Sequence, residues 1–105
     1  MTDRELLELA AKAAGYKITF EEPIGVGFDD YYPHGYDEDG DVESWWNPLA
    51  NDGDALRLAV DLELDIEFLN GDTFVLMVSQ GGGDKYERTR RAIVLAAARI
   101  GRSMP

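Results

Sequence analysis

Hydrophobic side chains recur every three or four positions in three parts of the chain, which is the spacing of an amphipathic helix. In the first part, Thr2 and Glu5 have the spacing of a capping box, and Gly15 offers a left-handed stop. The second part begins after Asn51 or Asp52, either of which can cap a helix N-terminus. The pattern therefore predicts one helix after each of these caps.

The third helical part begins at another capping-box pair, Asp84 and Glu87, and Gly101 is predicted to end it. The spacing of the side chains also predicts which of them each helix buries. These stripes are Leu6, Leu9, Ala10 and Ala13 in the first helix, Ala55, Leu56, Ala59 and Leu62 in the second, and Tyr86, Arg90, Ile93, Ala97 and Ile100 in the third.

Shorter segments have a period of two, which is typical of β-strands. Residues 16–20 alternate apolar and polar side chains and predict a half-buried strand. Residues 62–68 alternate apolar side chains with acids, whereas residues 73–78 are apolar on both faces. Asn70 and Gly71 both tolerate positive φ and predict a hairpin between these two segments. The segment 73–78 is therefore predicted to be the central strand.

Two further segments lie between the first strand and the second helix. Residues 24–28 are apolar but contain two glycines, so a bulged or edge strand is one interpretation of them. The segment at about residues 29–46 has neither period and is rich in turn residues, which predicts a long exposed loop. Later in the chain, Gly81, Gly82 and Gly83 predict a flexible break before the third helix.

The elements occur in the order α-β-(β)-α-β-β-α. This order predicts an α+β fold, with an antiparallel sheet of three or four strands and three helices packed on it. The 105 residues are predicted to form one domain, residues 1–105, which is close to the common domain size.

The composition excludes several classes of protein. The chain has no cysteine, which excludes a disulfide framework and thiolate metal sites. Its first ten residues lack the basic start and apolar run of a signal peptide, and no stretch is apolar enough to span a membrane. We therefore expect a cytoplasmic protein that does not contact a membrane.

The net charge of −11 is distributed unevenly along the chain. Residues 21–67 contain fifteen acids and one base, Arg57, whereas residues 84–105 contain six bases and two acids. The acidic part would repel a nucleic acid, so direct nucleic-acid binding is not expected. Two interpretations stay open: the charge keeps a small protein in solution, or it attracts a partner with a basic surface.

The predicted loop combines its acids with aromatic side chains, which provide contact area at a low cost in rotamer entropy. Phe28 and at least one tryptophan are expected to fold back onto the core. The other side chains are predicted to bind a protein partner. The predicted partner-binding residues are Tyr31, Tyr32, His34, Tyr36, Asp37, Asp39, Asp41, Glu43 and Trp45.

Other chemistries find weaker support in the sequence. The alternating acids of the loop suggest calcium, but an EF-hand needs glycine at its sixth position and glutamate at its twelfth, whereas Gly40 is fourth and Pro48 is twelfth. His34 has no nucleophile motif near it, so no catalytic residue is predicted. The glycine run before Lys85 only weakly suggests an anion site. We predict no cofactor and no metal site, with a small-ligand or divalent-cation binder that uses the same loop as the alternative function.

The segment WNPLANDGDALRLAVDLELDIE, residues 46–67, resembles the phage ABA sandwich domain family. The resemblance continues weakly through residues 86–104 and through the first helix, and covers about two-thirds of the chain. It implies an α+β sandwich and a phage or prophage origin, and it implies no catalytic residues. The chain departs from the family pattern in the long aromatic and acidic insert before Trp45.

These features together predict a small, acidic, non-enzymatic accessory protein of a phage or prophage, acting in the cytoplasm of the host bacterium. We expect it to bind a basic surface of a host or phage protein through the acidic aromatic loop. One hypothesis is that the acidic face mimics nucleic acid and blocks a nucleic-acid-binding protein.

Overall fold

The computed structural model describes residues 2–21, 32–36, 43–76 and 78–105, with residues 17–21, 32–36 and 43–45 described by their backbone. These residues form three helices and six short strands, and the predicted α+β class is confirmed. The helices are α1 (Asp3–Ala14), α2 (Asp52–Asp61) and α3 (Lys85–Ser103). The strands are β1 (Lys17–Glu21), β2 (Tyr32–Tyr36), β3 (Glu43–Trp45), β4 (Ile66–Leu69), β5 (Asp72–Val75) and β6 (Val78–Gly81).

Two antiparallel sheets of three strands, in the orders β1-β2-β3 and β4-β5-β6, take the place of the single sheet expected from the sequence. The predicted Asn70-Gly71 hairpin is confirmed, since Leu69 pairs with Asp72 across it. Asn70 has φ 52° and Gly71 has φ 82°, and positive φ at both residues is the backbone conformation that a tight hairpin turn requires. The prediction that the following strand is central is also confirmed, because β5 lies between β4 and β6.

The prediction of one continuous strand over residues 73–78 is wrong. β5 ends at Val75, and Val78 pairs back with Val75 in a second antiparallel pair. The chain reverses at Leu76, whose φ of 56° lies in the left-handed region that leucine rarely adopts. The sequence has no glycine or asparagine at this turn, so the apolar run does not indicate that the chain reverses there.

The prediction of a strand over residues 62–68 is correct only for its second half. Helix α2 continues to Asp61 and Glu63 has φ 53°, so the strand itself begins at Ile66. The alternation of side chains nevertheless persists through the connection. Leu62, Leu64 and Ile66 are half-buried, whereas the four acids between and around them are exposed.

The prediction of a loop over residues 29–46 is wrong for eight of its residues. Residues 32–36 form β2, which pairs with β1, and residues 43–45 form β3, which pairs with β2. Aromatic residues favour strands, and the partner strand satisfies the backbone groups that a loop would leave to water. The possible strand at 24–28, including Phe28, lies outside the described residues.

The predicted helix caps are confirmed at all three N-termini. The side chain of Thr2 accepts from the amide of Glu5 at 3.2 Å, and that of Asn51 accepts from the amide of Asp54 at 2.9 Å. The side chain of Asp84 caps α3 by accepting from the amide of Tyr86 at 2.7 Å and from the amide of Glu87 at 3.2 Å. Each cap satisfies donors that the helix itself cannot pair.

The core is built where α1 packs against α3, with α2 and β5–β6 completing it. Small side chains dominate this contact: Ala10, Ala11, Ala92, Ala96 and Ala97 are fully buried. Gly101 does not end α3 as predicted. It lies inside the helix with its α-carbon against the backbone of Leu9, where even a methyl group would overlap the Leu9 carbonyl.

Two members of the predicted buried stripes are exposed. Leu56 is 60% exposed and Tyr86 is 58% exposed. In α2 the predicted Ala55 and Ala59 are buried, and Leu58, which is completely buried, takes the inward place predicted for Leu56. One tryptophan is buried as expected: Trp46 packs edge-on against Tyr16, with ring centroids 5.7 Å apart.

Candidate functional site

Five of the nine predicted partner-binding residues lie in the sheet β1-β2-β3. Tyr32, His34 and Tyr36 occupy alternate positions of β2. Across the next pair of strands, His34 is in register with Trp45, and Tyr36 is in register with Glu43. The structure therefore brings these five positions together on adjacent strands. Tyr31, Asp37, Asp39 and Asp41 lie outside the described residues.

An acidic ridge runs from the last residue of α2 through the α2–β4 connection and into β4; we define it as Asp61, Glu63, Asp65 and Glu67. All four residues are exposed, because the apolar residues that alternate with them take the inward positions. Among the described residues none of the four forms an ion pair. The ridge is therefore a concentrated negative charge that the fold leaves without a counter-charge.

The first acid of the ridge is linked to the core by a tyrosine. The hydroxyl of Tyr16 donates to the Asp61 carboxylate at 3.0 Å. Partial burial raises the pKa of Tyr16 above its usual range, and the hydrogen bond to Asp61 raises it further. This bond fixes one end of the ridge relative to the Tyr16–Trp46 pair. The indole Nε1 of Trp46 is buried and has no hydrogen-bond partner among the described residues.

Exposed apolar side chains flank the ridge. Phe68 is 66% exposed and Leu69 is 52% exposed, and both follow Glu67 directly in the edge strand β4. Leu56 and Val60, one turn apart on the outer face of α2, are exposed as well. Sequence reasoning missed this patch, although the spacing of Leu56 and Val60 does indicate a second apolar stripe on α2.

An open groove of about 730 Å³ lies between α2, α3 and β4. Its base includes the buried side chains of Ala55 and Ile93, and Leu56, Phe68 and Tyr86 border it. Three cationic side chains also line it, namely Lys85, Arg88 and Arg90. The groove thus combines an apolar base with positive charge, in a chain whose net charge is −11.

The three cations of the groove differ in how they are paired. Arg90 donates to the Asp52 carboxylate at 2.7 Å and to the Leu49 carbonyl at 2.9 Å, so its charge is neutralised. Arg88 reaches only neutral oxygens, and Lys85 lies 5.4 Å from the centre of the Tyr86 ring. Neither Lys85 nor Arg88 has an ion-pair partner among the described residues.

A chain of hydroxyl groups holds Arg88 in place. Thr89 donates to the Lys85 carbonyl at 2.8 Å, so its oxygen is free to accept from the fully buried Thr73, 3.1 Å away. The Thr73 oxygen in turn accepts from Nε of Arg88 at 3.3 Å. This order assigns both hydroxyl protons, and Nε is the guanidinium donor of Arg88 that it uses.

The glycine run before α3 does not present a free anion site. The Asp84 carboxylate already accepts from the amides of Tyr86 and Glu87, the second and third residues of the helix, and these bonds lower the pKa of Asp84 below its usual range. An external anion would have to displace this carboxylate to reach those two amides. The weak anion-site interpretation of the sequence therefore receives no support from the geometry.

The described part of the chain holds no group of three or more histidine, aspartate or glutamate side chains able to bind a metal ion. None of its helices is long and apolar enough to cross a membrane.

Comparison of the chain with protein-family models, with curated proteins and with solved structures found no match.

Proposed function

We propose that the protein is a non-enzymatic interaction protein that binds a basic surface of a partner protein. The observation that carries this proposal is the acidic ridge, whose four exposed carboxylates have no ion-pair partner among the described residues. The partner-binding residues predicted between Tyr31 and Trp45 would extend the acidic contact.

The energetics of the ridge favour a role in association over one in folding. Four like charges over seven residues repel one another, and within the fold only Asp61 gains a hydrogen bond among the described residues, from Tyr16, so the ridge weakens the folded state in isolation. Exposed charges of one sign accelerate the encounter with a surface of opposite sign and select against wrong partners. A basic partner would remove the repulsion and account for the arrangement.

The apolar side chains beside the ridge would supply the affinity that charge alone does not give. Interfaces gain most of their binding energy from a few desolvated anchors, with charges at the rim. Phe68 and Leu69 are exposed next to Glu67 and are suited to this role. The proposed contact thus has an apolar centre in β4 and an acidic margin along the ridge.

The nature of the partner follows from the resemblance of residues 46–67 to the phage ABA sandwich family. Within this proposal the protein is a phage or prophage accessory protein of the bacterial cytoplasm, and its partner is a host or phage protein. A nucleic-acid-binding protein is the preferred class, because its basic surface is complementary to a row of carboxylates.

The test is a pull-down from bacterial lysate with two variants of equal charge. Asp65→Asn with Glu67→Gln neutralises two ridge acids, and Glu8→Gln with Glu87→Gln neutralises two exposed acids elsewhere. We expect wild type and the second variant to capture the same protein, and the ridge variant to lose it. Salt at about 0.5 M should release the captured protein, because the screening length falls to about 4 Å.

The proposal fails if the ridge variant captures the protein as well as wild type does, or if neither wild type nor the control variant captures anything. A third variant, with Tyr31, Tyr32 and Tyr36 all changed to alanine, tests the predicted extension separately. Its unchanged capture would confine the contact to the ridge and β4.

A further inference from the structure

We propose that the groove between α2, β4 and α3 binds a small amphipathic carboxylate, meaning a molecule with an apolar chain or ring and one anionic head. This site is separate from the acidic ridge. It shares Phe68 with the protein–protein contact proposed above, but binding of the small molecule does not require that contact.

The shape and lining of the groove suit the apolar part of such a molecule. Small-molecule sites commonly have volumes of roughly 300–1,000 Å³ and mainly apolar linings. The groove, at about 730 Å³, falls in this range. Ala55 and Ile93 at its base are buried from solvent, whereas Leu56, Phe68 and Tyr86 at its border are more than half exposed. An apolar chain lying between these three side chains would bury them.

The charges of the groove select the sign of the head group. Arg90 is neutralised by Asp52, so the positive charge that is left belongs to Lys85 and Arg88. The hydroxyl chain through Thr73 and Thr89 uses one donor of Arg88. Its other guanidinium contact, to the Gly82 carbonyl, is long at 3.4 Å and is a weak competitor for an anion. A carboxylate would therefore gain charge-assisted hydrogen bonds from two cations without displacing an acid.

A second copy of the chain suits the groove less well than a small molecule does. Pairing of β4 with β4 of another copy would bring Asp65 and Glu67 close to their own equivalents. Like charges opposite each other across paired strands are destabilising. The same acids do not oppose a small molecule whose head lies at Lys85 and Arg88.

The experiment is isothermal titration calorimetry with sodium decanoate, decyltrimethylammonium and acetate. We expect decanoate to bind at one molecule per chain, and the cation with the same alkyl chain to bind at least about tenfold more weakly. Acetate, which lacks the chain, should not bind. Equal binding of the two decyl compounds, or decanoate binding without saturation, would overturn the proposal.

Four variants locate the site, and each groove variant has a matched control. Phe68→Ser and Lys85→Gln should each weaken decanoate binding about tenfold. Val60→Ser and Arg102→Gln change an exposed apolar and an exposed cationic residue outside the groove, and should leave binding unchanged. The opposite pattern would exclude this groove as the site. The ridge variant Asp65→Asn with Glu67→Gln should retain decanoate binding, so that failure of either proposal is seen independently of the other.

Discussion

Helix α3 has two flanks that are built differently. Toward α1 it presents alanines and Gly101, and the two backbones come into contact at Leu9. Toward α2 and β4 it presents Tyr86, Lys85 and Arg88, and the groove stays open. One flank buries small side chains completely, whereas the other leaves large apolar side chains in water.

The difference indicates which residues serve folding and which are available for binding. Close-packed small side chains give a rigid contact that tolerates little change. Exposed Leu56 and Phe68 contribute little to the core, and an exposed apolar patch of this kind marks an interaction site. The acidic ridge and the two groove cations, Lys85 and Arg88, lie on the α2–β4 flank.

The largest effect is expected where α2 touches the core. Leu58→Ala removes a completely buried side chain and should lower the free energy of unfolding by about 3 kcal/mol. Leu56→Ala, two residues earlier and mostly exposed, should change it by less than about 0.5 kcal/mol. Urea unfolding of both variants measures the difference, and equal losses would mean that Leu56 also belongs to the core.

A slightly smaller effect is expected at the contact of α1 with α3. Gly101→Ala forces a methyl group into the Leu9 backbone and should cost about 2 kcal/mol, despite the better helix propensity of alanine. Gly53→Ala in α2 is the matched control, because its added methyl group would meet only a side-chain atom, Oδ1 of Asn51, at 3.2 Å. We expect that variant to be close to wild type in stability. A Gly101→Ala protein as stable as wild type would disprove the close approach.

The cap of α3 makes stability depend on pH. Backbone hydrogen bonds lower the pKa of Asp84 from its ordinary value of 3.8, so its charged form is favoured in the folded state. Its contribution is present above 3.8 and is lost as the pH falls through the lower folded pKa. Asp84→Asn keeps an acceptor but not the charge. Wild type should therefore be more stable than this variant at about pH 7, and the difference should shrink toward about pH 2. A difference that does not vary with pH would contradict this role.

The smallest effect is expected from the ion pair between Arg91 and Asp3, at 3.3 Å on the closed flank. Both side chains are partly exposed, so a double-mutant cycle with Arg91→Ala and Asp3→Ala should give a coupling of about 0.5 kcal/mol or less. A coupling above about 2 kcal/mol would show that charge, and not small-residue packing, holds α1 to α3.

Local signals in the sequence predicted a large part of the fold. The caps at Thr2, Asn51 and Asp84 and the hairpin at Asn70-Gly71 depend on residues close together in the chain, and the structure has all of them. The exposure of the ridge acids also followed from their alternation with half-buried apolar residues, even where the backbone is not a strand.

Features that depend on distant partners were not predictable in the same way. β2 becomes a strand by pairing with β1, and its own sequence resembles a loop. The chain reverses at Leu76, where the sequence has no glycine or asparagine that would predict a turn. Leu56 and Leu58 are both leucines of α2, and the packing of α2 in the tertiary fold decides which of them is buried. For the same reason the groove could not be derived from any single segment.

The central claim, that the α2–β4 flank binds a basic partner, is tested most directly by the affinity for the captured protein at low salt and at about 0.5 M salt. For wild type and the Glu8→Gln, Glu87→Gln control, we expect affinity to fall at least about tenfold between the two salt conditions. For Asp65→Asn with Glu67→Gln we expect weak binding at both salt concentrations. Affinity that is insensitive to salt, or equal in the ridge variant and wild type, would contradict the account.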